Sequence, residues 1–306
     1  MPGPRLLNKV AIVTGAGTGI GEAIAHKFAY EGAKVVVNGL PGDPVQDVVN
    51  AIKERGGHAV ACEADVAEEE GAEHCVQAAI DGFGKLDILI NNAGYFEGNV
   101  ETQDFSVEIY DRMMRTNVRS VFLMTKFAIP HLQKTRGNIV SAGSEAGFNG
   151  IMKFTPYGAT KAAIHAFMKG VAVEQAAYGV RANCVCPGPI DTAWTYASDG
   201  PMDKATEKLV LNSTPLGRRG TTEEMANVYA FLASDEASYV TGALWLADGG
   251  ITPAHGTVGM FAKYTDPPEG VLQLEHKRDG LENQPRYPNI EGVDGDGKDS
   301  FTSASA

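Results

Sequence analysis

A doubly wound α/β fold, with one parallel sheet covered by helices on both faces, is what this sequence predicts, on three observations. Short apolar, β-branched runs alternate with longer segments of helical periodicity along the first 250 residues. Several of the apolar runs are unbroken by polar residues, as strands buried on both faces require. A glycine-rich turn, "TGAGTGIG" at 14–21, sits where the first strand hands over to the first helix.

The elements follow in order. "KVAIVTG" (9–15) reads as a buried strand closed by glycine, and residues 20–30 as a helix stopped at Gly32. "AKVVV" (33–37) is a second strand, 44–55 a helix, "HAVACEADV" (58–66) a third strand and 68–82 a helix. "KLDILINNAG" (85–94) is a fourth strand, and 105–134 reads as two helices in series. "GNIVSAGS" (137–144) is a fifth strand, 157–177 a long helix, "RANCVCPG" (181–188) a sixth strand, 222–233 a helix and "GALWLADGG" (242–250) the last strand. After Gly250 prolines and acids scatter without a 3.6 or 2.0 period. Residues 1–250 are therefore read as one Rossmann-type domain, and 251–306 as an extension over its surface with a disordered end from about 293.

Composition narrows the function classes. The chain has 306 residues, is 43% hydrophobic and carries a formal net charge of −12 without a basic cluster. Nucleic acid and anionic membranes are poor partners for such a surface. No run approaches the roughly 20 apolar residues of a membrane span, and the first residues show no signal-peptide pattern. Cys62, Cys75, Cys184 and Cys186 are too few and too unevenly spaced for a disulfide framework, and C-x-C with no histidine nearby in sequence is no metal site. They are expected to be core residues of a cytoplasmic protein, with no metal bound.

The glycine turn carries the first functional signal. Gly15, Gly19 and Gly21 let the chain turn sharply and approach a ligand, while the helix start offers unpaired N–H groups to a pyrophosphate. Its place after the first strand of a βαβ unit makes it a dinucleotide site. Such sites often end their second strand with an acid that binds the adenosine ribose. Here Asn38 and Gly39 stand at that place, with no carboxylate to repel a 2′-phosphate, and Thr18 and Leu40 supply no cation to hold one. NAD against NADP stays open.

The second signal is "TPYGATKAAIH" (155–165), with Tyr157 and Lys161 four places apart on one helical face. A free phenol titrates near pKa about 10 and a lysine ammonium near about 10.4, so neither alone shuttles protons at neutrality. An ammonium beside the phenol favours phenolate and is expected to lower its pKa toward working pH. Ser144, just past a strand's carboxyl end where open α/β sheets bind ligands, would donate to an oxygen on which charge develops.

Together with "DV" (65–66), "NNAG" (91–94), Asn117 in "RTNV", Ser144 in "SAGSEAG", "YGATK" (157–161) and "PGPIDT" (187–192), the glycine turn resembles the short-chain dehydrogenase/reductase family over residues 8–250. The resemblance implies Tyr157 as general acid/base, Lys161 as its partner and a ligand of the nicotinamide ribose, Ser144 on the substrate oxygen, and Asn117 holding a water in a proton relay. It also implies cofactor contacts: Gly15, Gly17, Thr18, Gly19, Ile20 and Gly21 at the pyrophosphate, Asn38 beyond the second strand, and Asp65 and Val66 at the adenine. Asn91, Ala93 and Gly94 would pass the adenosine ribose, with Pro187, Gly188, Ile190 and Thr192 at the nicotinamide. The family further implies a homotetramer and a mobile substrate loop over 193–214.

The resulting expectation is an NAD(P)-dependent oxidoreductase that interconverts a secondary alcohol and a ketone. The alternatives are a reductase of acyl-thioester-linked 3-ketones, disfavoured because an acidic carrier protein would meet a chain at −12, and a non-catalytic dinucleotide-binding regulatory protein. Tyr95, Phe96, Glu97, Glu145, Phe148, Trp194 and Tyr196 point to the substrate pocket. The aromatics suit an apolar substrate, a sugar ring or packing alone, and Glu145 suits a substrate hydroxyl or solvent. "ITPAHGTVGMF" (251–261) is expected near a neighbouring subunit's active site.

Overall fold

A computed structural model describes residues 4–192, 196–197, 200–201 and 204–254. Its chain order is β1 (Val10–Val13), α1 (Gly19–Tyr30), β2 (Lys34–Gly39), α2 (Val45–Glu54), β3 (His58–Glu63), α3 (Glu69–Phe83) and β4 (Ile88–Asn91). Then come α4 (Val107–Met113), a π-helical turn (Met114–Arg119), α5 (Ser120–Thr135), β5 (Asn138–Ala142), α6 (Thr155–Gln175) and β6 (Arg181–Pro187). A two-stranded hairpin β7 (Tyr196–Ala197) and β8 (Gly200–Pro201) precedes α7 (Lys204–Ser213), α8 (Thr222–Ala233), β9 (Leu244–Ala247) and the short α9 (Ile251–Ala254).

Seven strands form one parallel sheet in the order β3-β2-β1-β4-β5-β6-β9. The chain leaves β1 toward β2 and β3, then returns to lay β4 on the other side of β1, so a crevice opens beyond the carboxyl ends of β1 and β4. Side-chain alternation sorts the strands into two cores. Ala11, Val13, Val35, Val37, Ile88 and Ile90 pack with Ile24 and Phe28 of α1, Ile52 of α2 and Tyr229 of α8. Val10, Ile12, Val36 and Leu89 turn to the other face, against Val76 of α3, Met124 and Leu132 of α5, and Ile164 and Met168 of α6. Cys62, Cys75, Cys184 and Cys186 belong to this second core, buried and unpaired. Among the described residues no helix is long and apolar enough to cross a membrane.

Several boundaries differ from the sequence reading, each for a local reason. The stretch 105–134 is one nearly continuous rod, because nothing between α4 and α5 breaks helix and the π turn absorbs the change of register. Helix α6 begins two residues before Tyr157, since Pro156 is well suited to a first helical turn. Strands β3 and β4 end early because Ala64, Asp65 and Val66 and Asn92, Ala93 and Gly94 turn into the crevice, and β9 ends where Gly249 and Gly250 take positive φ. Segment 193–214, expected as a loop, carries the hairpin and α7. Helix α9 forms where no periodicity shows: the Asp248 carboxylate accepts the backbone N–H groups of Gly250 and Thr252, both at 2.9 Å, and starts the turn. The greater part of the extension, 255–306, lies outside the described residues, as do its expected disordered end and most of 251–261.

Candidate active site

The crevice is a cavity of about 1320 Å³ that runs from the glycine turn after β1 to Ser144, Tyr157 and Lys161. At its first end Gly15 holds φ +60°, and a Cβ there would come within 2.8 Å of Ala93 Cα. A Cβ on Gly21 would stand 2.6 Å from the Asn92 amide nitrogen, so Gly21 packs the helix against the turn and does not itself line the cavity. Gly19 also has positive φ, at +62°, and Thr18 at the head of α1 makes no side-chain cap. The first-turn N–H groups are thus left to a ligand. Thr192 overhangs this turn, its methyl 3.8 Å from where a Gly19 Cβ would be.

Asn92, which sequence reasoning passed over for Asn91, braces the crevice. Its amide donates to the main-chain oxygens of Thr14 and Gly15, at 3.0 and 3.1 Å, while Thr14 Oγ1 accepts the N–H groups of Asn92 and Ala93. Asn91 turns away from the cavity: it is buried under the sheet and donates to Ser141 Oγ at 3.1 Å. As the last residue of β4 its side chain takes the second core's face, so no side-chain contact with a cofactor is open to it.

The end of β2 also differs from the sequence reading. The Asn38 amide donates to the main-chain oxygens of Cys62 and Ala64, both at 3.0 Å, which ties β2 to the end of β3. A carboxylate does stand at this place: Asp43 folds back so that its Oδ2 accepts the Leu40 N–H at 2.8 Å. That oxygen lies 3.0 Å from where a Gly39 Cβ would be, and Asp43 Cβ lies 3.3 Å from where a Gly17 Cβ would be. Asp43 belongs to the loop after β2, where Pro41, Gly42 and Pro44 signal a tight turn. Asp65 and Val66 form the adjoining wall, with Asp65 paired to Arg115 at 2.6 Å.

At the other end β5 delivers Ser144, and α6 presents Tyr157 and Lys161 one turn apart. Lys161 Nζ donates to the Ala142 main-chain oxygen at 2.9 Å and lies 5.5 Å from the centre of the Tyr157 ring. The expected lowering of the tyrosine pKa is not what this arrangement produces. Burial holds the phenol well above its usual range, aided by the Glu145 charge and opposed by a hydrogen bond with Ser144. Burial also pushes Lys161 down to about 8. Desolvation dominates because Lys161 is buried with its amine directed at a carbonyl, and Tyr157 is half-buried against Phe96 on the cavity wall.

Asn117 is buried within the π turn and outside the cavity lining. Its Oδ1 accepts the Tyr95 N–H at 2.7 Å, and its amide donates to Tyr95 O at 2.9 Å and Thr160 Oγ1 at 3.1 Å. The side chain clamps the loop after β4 to α6, leaving its amide no donor for a relay water. His165, missed in the sequence, underpins Ser144: its Nε2 accepts the Ser144 N–H at 3.4 Å and lies 3.3 Å from Cys186 Sγ. Burial pushes His165 down to about 4, which keeps Nε2 an acceptor. The only hint in the sequence was its eight-residue spacing from Tyr157, two turns along α6.

Phe96 stands edge-on to Tyr157 and Phe154, with ring centres 4.9 and 5.1 Å apart, and forms an apolar wall with Ile151 and Met152. The Arg112 guanidinium stacks on Tyr95 at 4.0 Å, and the Tyr95 hydroxyl donates to Glu97. Glu145 and Phe148 line the same end, whereas Trp194 lies outside the described residues and Tyr196 opens β7. Gly188 and Ile190 pass the cavity beside Pro187; a Cβ on Gly188 would come within 2.7 Å of Asp248 Cα. Ile251 and Thr252 bring the start of the extension to this chain's own cavity.

The residues present fit a dinucleotide. The glycine turn leaves room that side chains would fill, the uncapped N-terminus of α1 borders the cavity, and the buried Tyr229 hydroxyl on the cavity wall has no hydrogen-bond partner among the described residues. Among the described residues no group of three or more His, Cys, Asp or Glu is placed to hold a metal ion.

Comparison with known proteins shows what the chain as a whole is similar to. A family profile described as enoyl-(acyl carrier protein) reductase matches residues 15–252. L-fucose dehydrogenase of Bos taurus is 37% identical over 256 residues, 83% of this chain and 93% of that protein. Cyclohexanol dehydrogenase of Acinetobacter sp. (strain SE19) is 37% identical over 246 residues, 80% and 95% of the two chains. The crystal structure of a dehydrogenase/reductase from Sinorhizobium meliloti 1021 superposes with a TM-score of 0.75 at 33% identity, covering 80% of this chain and 96% of that one.

Proposed function

Since this chain belongs to the short-chain dehydrogenase/reductase family, we propose that it is a nicotinamide-dependent oxidoreductase that interconverts a secondary alcohol and a ketone. The observation that carries this reading is the continuity of one cavity from the glycine turn to the Ser144, Tyr157 and Lys161 cluster. Relatives named for the oxidation of L-fucose and of cyclohexanol support a CH–OH donor over an acyl thioester, and the net charge of −12 opposes docking of an acidic carrier.

A bound nicotinamide supplies the hydride acceptor in alcohol oxidation and the donor in ketone reduction. The chain's own residues handle the oxygen and its proton. Ser144 holds the substrate oxygen, and Tyr157 Oη takes the hydroxyl proton in oxidation or returns it in reduction. Desolvation keeps Tyr157 protonated until a base or an added positive charge is close, so it starts as an acid. Lys161, with its pKa lowered to about 8, carries most of its charge at neutrality yet releases a proton more readily than a free lysine. Asn117 contributes by fixing Tyr95 and α6.

Asp43 supports NAD over NADP as the partner. Its carboxylate lies beside Gly39 and Gly17, where a ribose hydroxyl would find an acceptor and a 2′-phosphate would meet a like charge. The homotetramer that the family resemblance implies is supported by the edge strand β9, on which Trp245 and Leu246 are 39% and 37% exposed.

Replacing Tyr157 with Phe tests the central reading. Nicotinamide absorbance should stop changing with every alcohol and ketone, while dinucleotide affinity stays within roughly fivefold, because the lost hydroxyl is worth about 1 kcal/mol or less to binding. Full turnover in the variant would end the proposal.

A further inference from the structure

Glu145 is a carboxylate in an unfavourable place. It follows Ser144 directly, lines the cavity, and lies close enough to Tyr157 for its charge to oppose phenolate. Burial and the neighbouring Asp248 charge raise its own pKa. One oxygen, Oε2, accepts from the Asn149 amide at 3.3 Å, and that amide is shared with Thr252 Oγ1 at 3.1 Å. No hydrogen bond reaches Oε1 from any described residue, and that atom is not sealed from the cavity. No cation pairs with the carboxylate among the described residues. Asn149 and Thr252 therefore hold it in position without neutralising it.

A half-buried carboxylate oxygen that faces the cavity without a donor from a described residue, beside a residue that must lose a proton, is open to a donor brought in by the ligand. We propose that Glu145 accepts a hydrogen bond from a second hydroxyl next to the reacting carbon, which makes vicinal diols and α-hydroxyketones the preferred substrates. This rests on the oxidoreductase reading above and deepens it. Adjacency suggests the spacing: the reacting oxygen belongs to Ser144 and Tyr157, and Glu145, the next residue along the chain, lines the same cavity, which suits a hydroxyl on the adjacent carbon. Phe96, Ile151, Met152 and Phe154 form an apolar wall at this end, so the substrate carries its two oxygens on one side and an apolar body toward that wall. A hydroxyl donating to Oε1 disperses the carboxylate's charge and lessens its opposition to phenolate at Tyr157.

The test compares 1-phenyl-1,2-ethanediol with 1-phenylethanol and 2-amino-1-phenylethanol, using the full chain with NAD, in turnover and in thermal unfolding of the dinucleotide-loaded protein. The diol should exceed the monohydric alcohol in kcat/KM by roughly 10- to 100-fold, the range for a hydrogen bond to a charged group. Glu145→Leu should bring that ratio to about one, and Glu145→Gln should leave it in between. Only the diol should raise the midpoint of unfolding of the wild type, and Glu145→Leu should remove that rise. A wild-type ratio near one, a ratio unchanged in both variants, or a preference for the amino alcohol would overturn the inference. If nothing is turned over, the oxidoreductase reading fails, and the unfolding shift alone decides Glu145: a diol-specific shift that vanishes in Glu145→Leu supports it, and no such shift overturns it.

Discussion

The Lys161 ammonium lies 5.5 Å from the centre of the Tyr157 ring and donates its hydrogen bond to the Ala142 main-chain oxygen at 2.9 Å. The buried amine is a cost to folding. Its folded pKa of about 8 lies below the ordinary 10.5, so the unfolded chain binds its proton more tightly. The cost is complete below pH 8 and disappears as pH rises through about 10.5. Lys161→Met should therefore stabilise the protein at pH 7 by about 2 kcal/mol, once about 1 kcal/mol is set aside for the hydrogen bond lost at Ala142. The gain should fade above pH 10, and turnover should fall by about 100-fold or more. Denaturant unfolding at pH 7 and 10, beside initial rates, checks all three.

Asp43 sets the cofactor prediction. Asp43→Asn should weaken NAD by roughly tenfold, through loss of a charged acceptor, and narrow the NAD-to-NADP affinity ratio by roughly 10- to 100-fold. Fluorescence titration with each dinucleotide measures this without any turnover. Wild-type protein that binds the two equally well would remove Asp43 from the role.

His165 gives the molecule an acid-sensitive step. Its folded pKa of about 4 lies below the ordinary 6.5, so stability is complete above pH 6.5 and declines as pH falls toward 4. The decline amounts to about 3 kcal/mol at most for a shift of this size. Glu31, held at about 2 against its own burial by Arg5 and Lys27, adds a separate loss between pH 4.5 and 2. Urea unfolding of His165→Gln should show a flattened dependence between pH 6.5 and 4, with the lower limb unchanged.

Two glycines of one turn should behave differently. A Cβ at Gly21 meets the Gly15 main-chain oxygen and the Asn92 amide, so Gly21→Ala must displace backbone and should cost about 1–3 kcal/mol of stability as well as dinucleotide affinity. A Cβ at Gly17 meets only Asp43 and Pro44, at 3.3 Å, and Gly17 lines the cavity. Gly17→Ala should weaken dinucleotide binding with little change in thermal midpoint. Equal losses of stability would contradict the geometry of the turn.

The linear order of residues was enough to determine the sheet, the crevice at its carboxyl ends, and that the glycine turn, Ser144, Tyr157 and Lys161 share it. Apolar runs such as "VAIV" can be buried only between helices, and a strand followed by Gly15, Gly19 and Gly21 has few ways to turn. Helical spacing likewise placed Tyr157 and Lys161 on one face. What tertiary structure alone decided is where polar atoms spend their hydrogen bonds. Asn117 clamps Tyr95, Asn91 faces Ser141, and Lys161 is directed at Ala142, because strands and helices distant in sequence supply those partners. The same is true of Asp43, returned to the β2 end by a turn, and of His165 beneath Ser144. Whether a buried titratable group is raised or lowered depends on desolvation and on neighbours up to a hundred residues away, and spacing along the chain carries neither.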